Sequence, residues 1–254
     1  MLSSQKQRVL VVDIGNSRVR GAVGMDLLEE HWPILEWARE NSFEAWLPYA
    51  DSQDHRRILV SNVAGPSVAE SFRKFCLESW SVEPRFVVPT RRQAGMVTDY
   101  EEPEMLGSDR WLAAIAAWRR TENSVCVVDA GTALTIDLVT RAGQHLGGLI
   151  APGEKLMASS LSTATAQLPF VHSDVPPGFA TNTREAIALG CRIANVGLVN
   201  QVGQMLVGYP EFKDVMWYLT GGGCHALSDA LGWNTVVCPD LVLEGLLKVA
   251  PYYE

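Results

Sequence analysis

Two stretches of the chain repeat one pattern of acid, glycine and small polar residue. Residues 9–24 read VLVVDIGNSRVRGAVG and residues 125–140 read VCVVDAGTALTIDLVT. They align without a gap, setting Asp13 on Asp129 and Gly15 on Gly131. Each copy has an apolar run, an Asp-x-Gly turn and a second strand-like run, the pattern of a β-hairpin with glycine in its turn. Such a turn can hold a polyphosphate. Glycine lets backbone N–H groups approach with no Cβ in the way, and Asn16, Ser17 and Thr132 add side-chain donors. An aspartate beside a phosphate needs a cation between the two, and Mg2+ combines few carboxylates with waters and phosphate oxygens. Asp13 and Asp129 are therefore candidate Mg2+ ligands for a nucleotide clamped by two turns. A single D-x-G is an ordinary hairpin turn; the gap-free duplication is what argues for phosphate. No G-x-x-x-x-G-K-[ST] occurs and no G-x-G-x-x-G follows the first strand, which excludes a P-loop and argues against a dinucleotide fold.

A second constellation lies between the turns, in residues 100–110, YEEPEMLGSDR. Gly107-Ser108 reads as a helix start, which puts Asp109 and Arg110 in a first turn whose N–H groups are unpaired. Asp109 is there either as a helix-capping charge or as a general base taking a hydroxyl proton during phosphoryl transfer. Arg110 can fork onto a substrate carboxylate. Thr183 opens a later helix and reads as an N-cap. The turn Gly221-Gly222-Gly223 is either a surface for adenosine or a tight strand-to-helix connection. Cys224-His225 has no second ligand pair near it and reads as core rather than metal site. His145 falls in a hairpin, and the scattered tryptophans read as core or interface.

Stepping outward, the pattern predicts an α/β chain of two similar halves, each a mixed sheet with flanking helices, with domains at 1–120 and 121–254. Strands are expected at 57–61, 85–88, 148–150 and 215–219. Helices are expected at 66–80, with Pro66 in the first turn, at 107–120, from Pro152-Gly153 to about 163, at 184–206 and at 241–250. The loop 169–183, rich in proline, is expected to be mobile.

Bulk properties agree with a globular enzyme. The 254 residues are 47% hydrophobic and 20% charged, and the formal charge of −8 argues against a nucleic-acid scaffold. No apolar stretch is long enough for a membrane span or a secretory h-region. Five cysteines without a C-x-x-C pair fit free thiols in a reducing, cytoplasmic setting.

These motifs, in this order, resemble the type III pantothenate kinases. The matching residues are DIGNSRV at 13–19, Tyr100, Pro103, Leu106, Gly107, Asp109 and Arg110, DAGTALTID at 129–137, GGLIAPG at 147–153, TREAIALG at 183–190 and LTGGG at 219–223. The D-x-G-N turn by itself is shared with the wider hexokinase and actin-like ATPases. The resemblance implies that fold, with a nucleotide cleft between the halves, and ATP-dependent phosphorylation of the 4′-hydroxyl of pantothenate, the first step of coenzyme A synthesis. It implies Asp109 as catalytic base, and Asp13, Ile14, Gly15, Asn16, Ser17, Arg18, Val19, Arg20 and Thr132 as ATP contacts. Tyr100, Gly107, Ser108, Asp109, Arg110 and Thr183 match pantothenate contacts. It assigns Asp129 to a monovalent cation, K+ or NH4+, leaving Mg2+ to Asp13 and the phosphates. It also implies a homodimer. Thr98-Asp99 stands where relatives often carry Asn-Gly, which puts an extra carboxylate near the acceptor pocket. A regulatory accessory protein or a phosphatase of the same superfamily are the competing classes.

Overall fold

The computed structural model describes residues 8–25, 35–38, 43, 57–171 and 178–253. The chain divides into two compact units, 1–120 together with 240–254, and 121–239.

In the first unit, β1 (Arg8–Ile14), β2 (Arg18–Met25), β3 (Leu35–Ala38), β4 (Arg57–Asn62) and β5 (Arg85–Phe86) form a sheet in the order β3-β2-β1-β4-β5. β1 pairs β2 antiparallel and β4 parallel. Helix α1 (Pro66–Trp80) connects β4 to β5. The short hairpin β6 (Arg92–Gln93) and β7 (Met96–Thr98) then leads through residues 99–107 into α2 (Ser108–Arg119). β1 is central, and Val9, Leu10, Val11 and Val12 are all buried, whichever face they point to. That explains its unbroken apolar run, since a strand covered on both faces has no solvent side to alternate with. One face packs Leu10, Val12, Ile14, Ile58 and Val60 onto Phe72 and Cys76 of α1.

In the second unit, β8 (Val125–Ala130), β9 (Ala133–Val139), β10 (Gln144–Pro152), β11 (Met216–Thr220) and β12 (Val236–Val237) run in the order β10-β9-β8-β11-β12. The senses match the first unit: β8 pairs β9 antiparallel and β11 parallel. Helices α3 (Glu154–Ala164) and α4 (Thr183–Leu206) follow β10, and α5 (Cys224–Leu231) links β11 to β12. Cys126, Val128, Leu134 and Ile136 pack against α4 and α5 through Val199, Val202, Leu206 and Leu227. Two sheets of equal order and sense are the structural form of the sequence repeat.

The repeat is not exact in register. Ile14 pairs with Val19 across the first turn, whereas Ala130 pairs with Leu134 across the second, one residue earlier than the gap-free alignment would give. The opposite partner of Asp13 is consequently Arg20, and that of Asp129 is Thr135. A one-residue shift exchanges which side chains lie across from one another, so the two aspartates have different neighbours despite equal motifs.

Four expectations need correction. The last helix, α6 (Leu241–Val249), was placed with the second half by chain order but belongs to the first unit, where it packs on α2 and β1. The cap of α4 is Asn182, whose side chain accepts from the Glu185 N–H at 3.0 Å, and Thr183 is the first helical residue. The strand expected at 148–150 extends over Gln144–Pro152, and that at 85–88 shortens to Arg85–Phe86. The part of the 169–183 loop at 172–177 lies outside the described residues.

α2 and α6 cross at a point set by Gly245. A Cβ there would collide with the backbone carbonyl of Leu112. Alanine for glycine in a helix gains about 1 kcal/mol of propensity, but a backbone carbonyl cannot swing aside as a side chain can. We expect Gly245→Ala to destabilise the protein by about 2 kcal/mol net, measured by urea denaturation; a stabilised variant would show that the helices separate freely.

Candidate active site

The first unit brings the Asp13 turn and residues 100–110 together. Asp13 ends β1 between Arg20 of β2 and Ser61 of β4. The Gly15 N–H donates to the Arg18 carbonyl at 2.9 Å, closing a turn that leaves Asn16 and Ser17 exposed. Ile14 and Val19 are core side chains, so from these two positions only the backbone can reach a ligand. Arg18 donates to Glu36 at 2.9 Å. Arg20 lies between Glu36 and Asp240, with a close ion pair to Asp240.

Burial pushes the Asp13 carboxyl up to about 7, and the charge of Asp109 pushes in the same direction. A hydrogen bond from Ser61 and the charges of Arg20 and Arg18 oppose this without cancelling it. Asp13 Oδ1 is buried with no hydrogen-bond partner among the described residues. A buried, unpartnered carboxylate oxygen beside a second carboxylate is the donor chemistry that a divalent cation satisfies, so these residues fit Mg2+. Among the described residues, no group of three or more His, Cys, Asp or Glu side chains forms a cage of its own.

Asp109 sits in the first turn of α2, and its Oδ1 accepts from the Arg110 backbone N–H at 2.8 Å. A Cβ at Gly107 would lie 2.6 Å from that Oδ1, so a larger residue there would displace the Asp109 carboxylate. Ser108 is buried, with its hydroxyl 3.1 Å from that of Ser61. Arg110 is also buried; its Nη1 donates to the Tyr100 hydroxyl at 3.0 Å, and its guanidinium carbon lies 5.8 Å from the ring centroid. The loop carrying Tyr100 is pinned by Arg91, which donates to the carbonyls of Thr98 and Glu101 at 2.8 and 3.0 Å. Asp99 is exposed beside it.

The second unit holds the other predicted positions. Asp129 ends β8 opposite Thr135 and Thr220. The Gly131 N–H donates to Ala133 O at 3.0 Å, and Thr132 is exposed at the tip of the turn. Gly221 has φ +82°, and a Cβ on it would strike the Asp129 carboxylate. The Gly223 N–H donates to Ala130 O at 2.9 Å. The triple glycine is thus a tight strand-to-helix connection folded over the end of β8. Gly153 is equally close, because a Cβ there would strike the carbonyls of Gly131 and Thr132. Gly131 and Gly221 thus leave room for the Asp129 carboxylate, which a Cβ on either would crowd. Cys224 is buried in the core, and His145 is buried against Asp137 at 2.9 Å. Thr183 is exposed at the start of α4 in this unit, apart in sequence and in unit from the Tyr100–Arg110 group.

The sequence reading missed Ser61, Arg91 and Asp240. Only strand pairing and helix packing bring them to the site, and no local motif marks them.

Two α/β units of one topology, each ending a central strand in Asp-x-Gly, define the duplicated fold of the hexokinase and actin-like phosphotransferases. A Listeria monocytogenes protein described as an N-acetylmannosamine kinase superimposes with TM-score 0.53 at 9% identity, covering 97% of this chain and all of that one. A Campylobacter jejuni protein assigned to the Baf family of transcriptional activators gives TM-score 0.58 at 22% identity, covering 96% and 98%. At these identities both show the fold alone. The type III pantothenate kinase family model matches residues 9–204. Relatives named type III pantothenate kinase include one from Marinomonas sp., 41% identical over 95% of this chain and 94% of the relative. Another, from Nitrosomonas eutropha, is 32% identical over 95% and 94%. The chain belongs to the type III pantothenate kinase family.

The raised Asp13 value has a sign that can be tested. A carboxyl that holds its proton more tightly in the folded than the unfolded chain loses stability as pH rises from about 4 to about 7. Above that window the ionised group remains a fixed cost. In metal-free and nucleotide-free protein, Asp13→Asn is expected to raise Tm at pH 8 by about 3 °C or more, with little change at pH 4.5. The check is differential scanning fluorimetry at both values; a lower Tm at pH 8 contradicts the assignment.

Proposed function

We propose that this protein transfers the γ-phosphoryl group of ATP to the 4′-hydroxyl of pantothenate, opening coenzyme A synthesis. The observation that carries the reading is the juxtaposition, in one unit, of the buried Asp13 turn with Asp109 and the Tyr100–Arg110 pair. One aspartate suits the cation and phosphate end of the reaction, and the other suits the acceptor hydroxyl. Family membership supplies the choice of pantothenate.

In this reading the backbone of 13–20 and Thr132 bind the phosphates, and Arg18 and Arg20 add positive charge near them. Asp13 would hold Mg2+ and Asp129 would hold K+ or NH4+. When bound, these cations offset the charge of the triphosphate and its transition state. Arg110, steadied by Tyr100, receives the pantothenate carboxylate, and Gly107, Ser108 and Thr183 line the acceptor. Asp109, fixed by the Arg110 N–H, accepts the proton of the 4′-hydroxyl. The hydroxyl oxygen forms its bond to the γ-phosphorus as the bridging oxygen leaves with ADP. Little covalent chemistry falls to the protein, so orientation and charge dominate.

The protein acts as a homodimer in this reading. The supporting observation is apolar exposure in the second unit, where Ile150 is 65% and Ile193 58% exposed on elements that pack with α3. Large apolar side chains left exposed on these two elements are candidates for covering by a second copy of the chain.

Purified protein with ATP, Mg2+, K+ and pantothenate should yield 4′-phosphopantothenate by mass spectrometry, and absence of product would refute the assignment. Asp109→Asn should lower kcat by about 10²-fold while nucleotide binding persists; near wild-type turnover removes Asp109 from the role of base. Ile150→Asp with Ile193→Asp should convert a species of two chains into one in sedimentation equilibrium.

A further inference from the structure

Ser61 stands in none of the motifs, yet it touches both halves of the proposed chemistry. It lies on β4 directly beside Asp13 in the parallel register. It is fully buried and follows Ile58, Leu59 and Val60, all core residues. An apolar side chain would fill that place at less cost unless the hydroxyl is used, because a buried hydroxyl needs partners. It has two. It hydrogen-bonds the Asp13 carboxylate, and its Oγ lies 3.1 Å from Ser108 Oγ at the start of α2.

The duplication provides an internal comparison. Thr220 occupies the corresponding place beside Asp129 and is also buried. Its hydroxyl donates to the Pro239 carbonyl at 3.2 Å, a backbone contact. Of the two strand hydroxyls, the one in the first unit links a turn aspartate to the helix that carries Asp109.

The direction of the hydrogen bonds follows from donor count. When Asp13 is ionised, as a cation ligand must be, it only accepts, so the Ser61 hydroxyl donates to it and in turn accepts from Ser108. Both hydroxyl protons are then committed inward. Ser108 is left presenting lone pairs to whatever lies on its other side, which suits a ligand N–H or O–H.

We propose that Ser61 is a positioning residue for phosphoryl transfer, whose hydroxyl locks the Asp13 carboxylate and the Ser108 end of α2 into one orientation. The proposal rests on the phosphotransferase reading above and adds a residue to it. Ser61 touches neither substrate nor phosphate and acts through its two partners. Groups that orient a cation ligand from behind typically change metal affinity by 10–100-fold when removed.

The test is Ser61→Ala, nearly isosteric and so expected to fold, with circular dichroism as the check. The Mg2+ concentration giving half the thermal shift, at fixed non-hydrolysable ATP analogue, should rise about 10-fold. In turnover, kcat should fall about 10-fold with a smaller change in KM for ATP. In a double-mutant cycle, Ser61→Ala with Ser108→Ala should lose less in kcat than the product of the single losses, because both break one chain. An unchanged Mg2+ midpoint, or fully multiplicative losses, would overturn the proposal. The Mg2+ titration needs no acceptor. A wild-type enzyme that fails to phosphorylate pantothenate while Ser61→Ala still shifts the midpoint would therefore sink the choice of acceptor and leave the role of Ser61 standing.

Discussion

Much of the first unit is arranged around one carboxylate kept out of water. Asp13 sits at the end of the central strand, where burial and the charge of Asp109 both favour its protonated form. Ser61, Arg20 and Arg18 offset part of that cost. Arg20 is in turn held by Glu36 from β3 and Asp240 ahead of α6. Elements far apart in sequence are thus tied to a single charge. That arrangement supports the proposed cation role of Asp13, because a cation turns a buried carboxylate from a cost into a ligand.

The second unit shows how the same motif can take a different part. Its turn is one residue tighter in register, placing Thr135 opposite Asp129, and its second strand, Ala133–Val139, carries no arginine. Gly221 and Gly153 bring backbone against its turn. The two aspartates thus share a motif and a place at the end of a central strand but have different cross-strand neighbours.

Helix α2 carries candidate site residues at one end and a structural role along its body. Its first turn carries Ser108, Asp109 and Arg110, and its body is buried from Trp111 to Ala117. Small residues there, with Gly245 opposite, let α6 approach closely. Trp111 donates to Gln93 at 2.6 Å, and Gln93 donates to Tyr253 at 2.9 Å, fastening the middle of the helix to both the β6 strand and the C-terminal tail. A side chain that must meet a reacting hydroxyl gains precision from a helix that cannot shift.

The sequence alone determined the duplicated α/β design and the family, and it marked Asp13, Asp109, Arg110 and Asp129 as candidate site residues. These are local signals: an apolar run, a glycine turn, a helix start. It did not reveal Ser61, Arg91 or Asp240, nor that the final helix returns to the first unit. The gap-free repeat gave no sign that the two turns pair in different registers. Those facts depend on which strands lie side by side and which helices touch. A serine in a strand reads the same whether it faces a carbonyl, as Thr220 does, or an aspartate, as Ser61 does. Only tertiary structure decides, because hydrogen-bond partners and burial are set by residues distant in the chain.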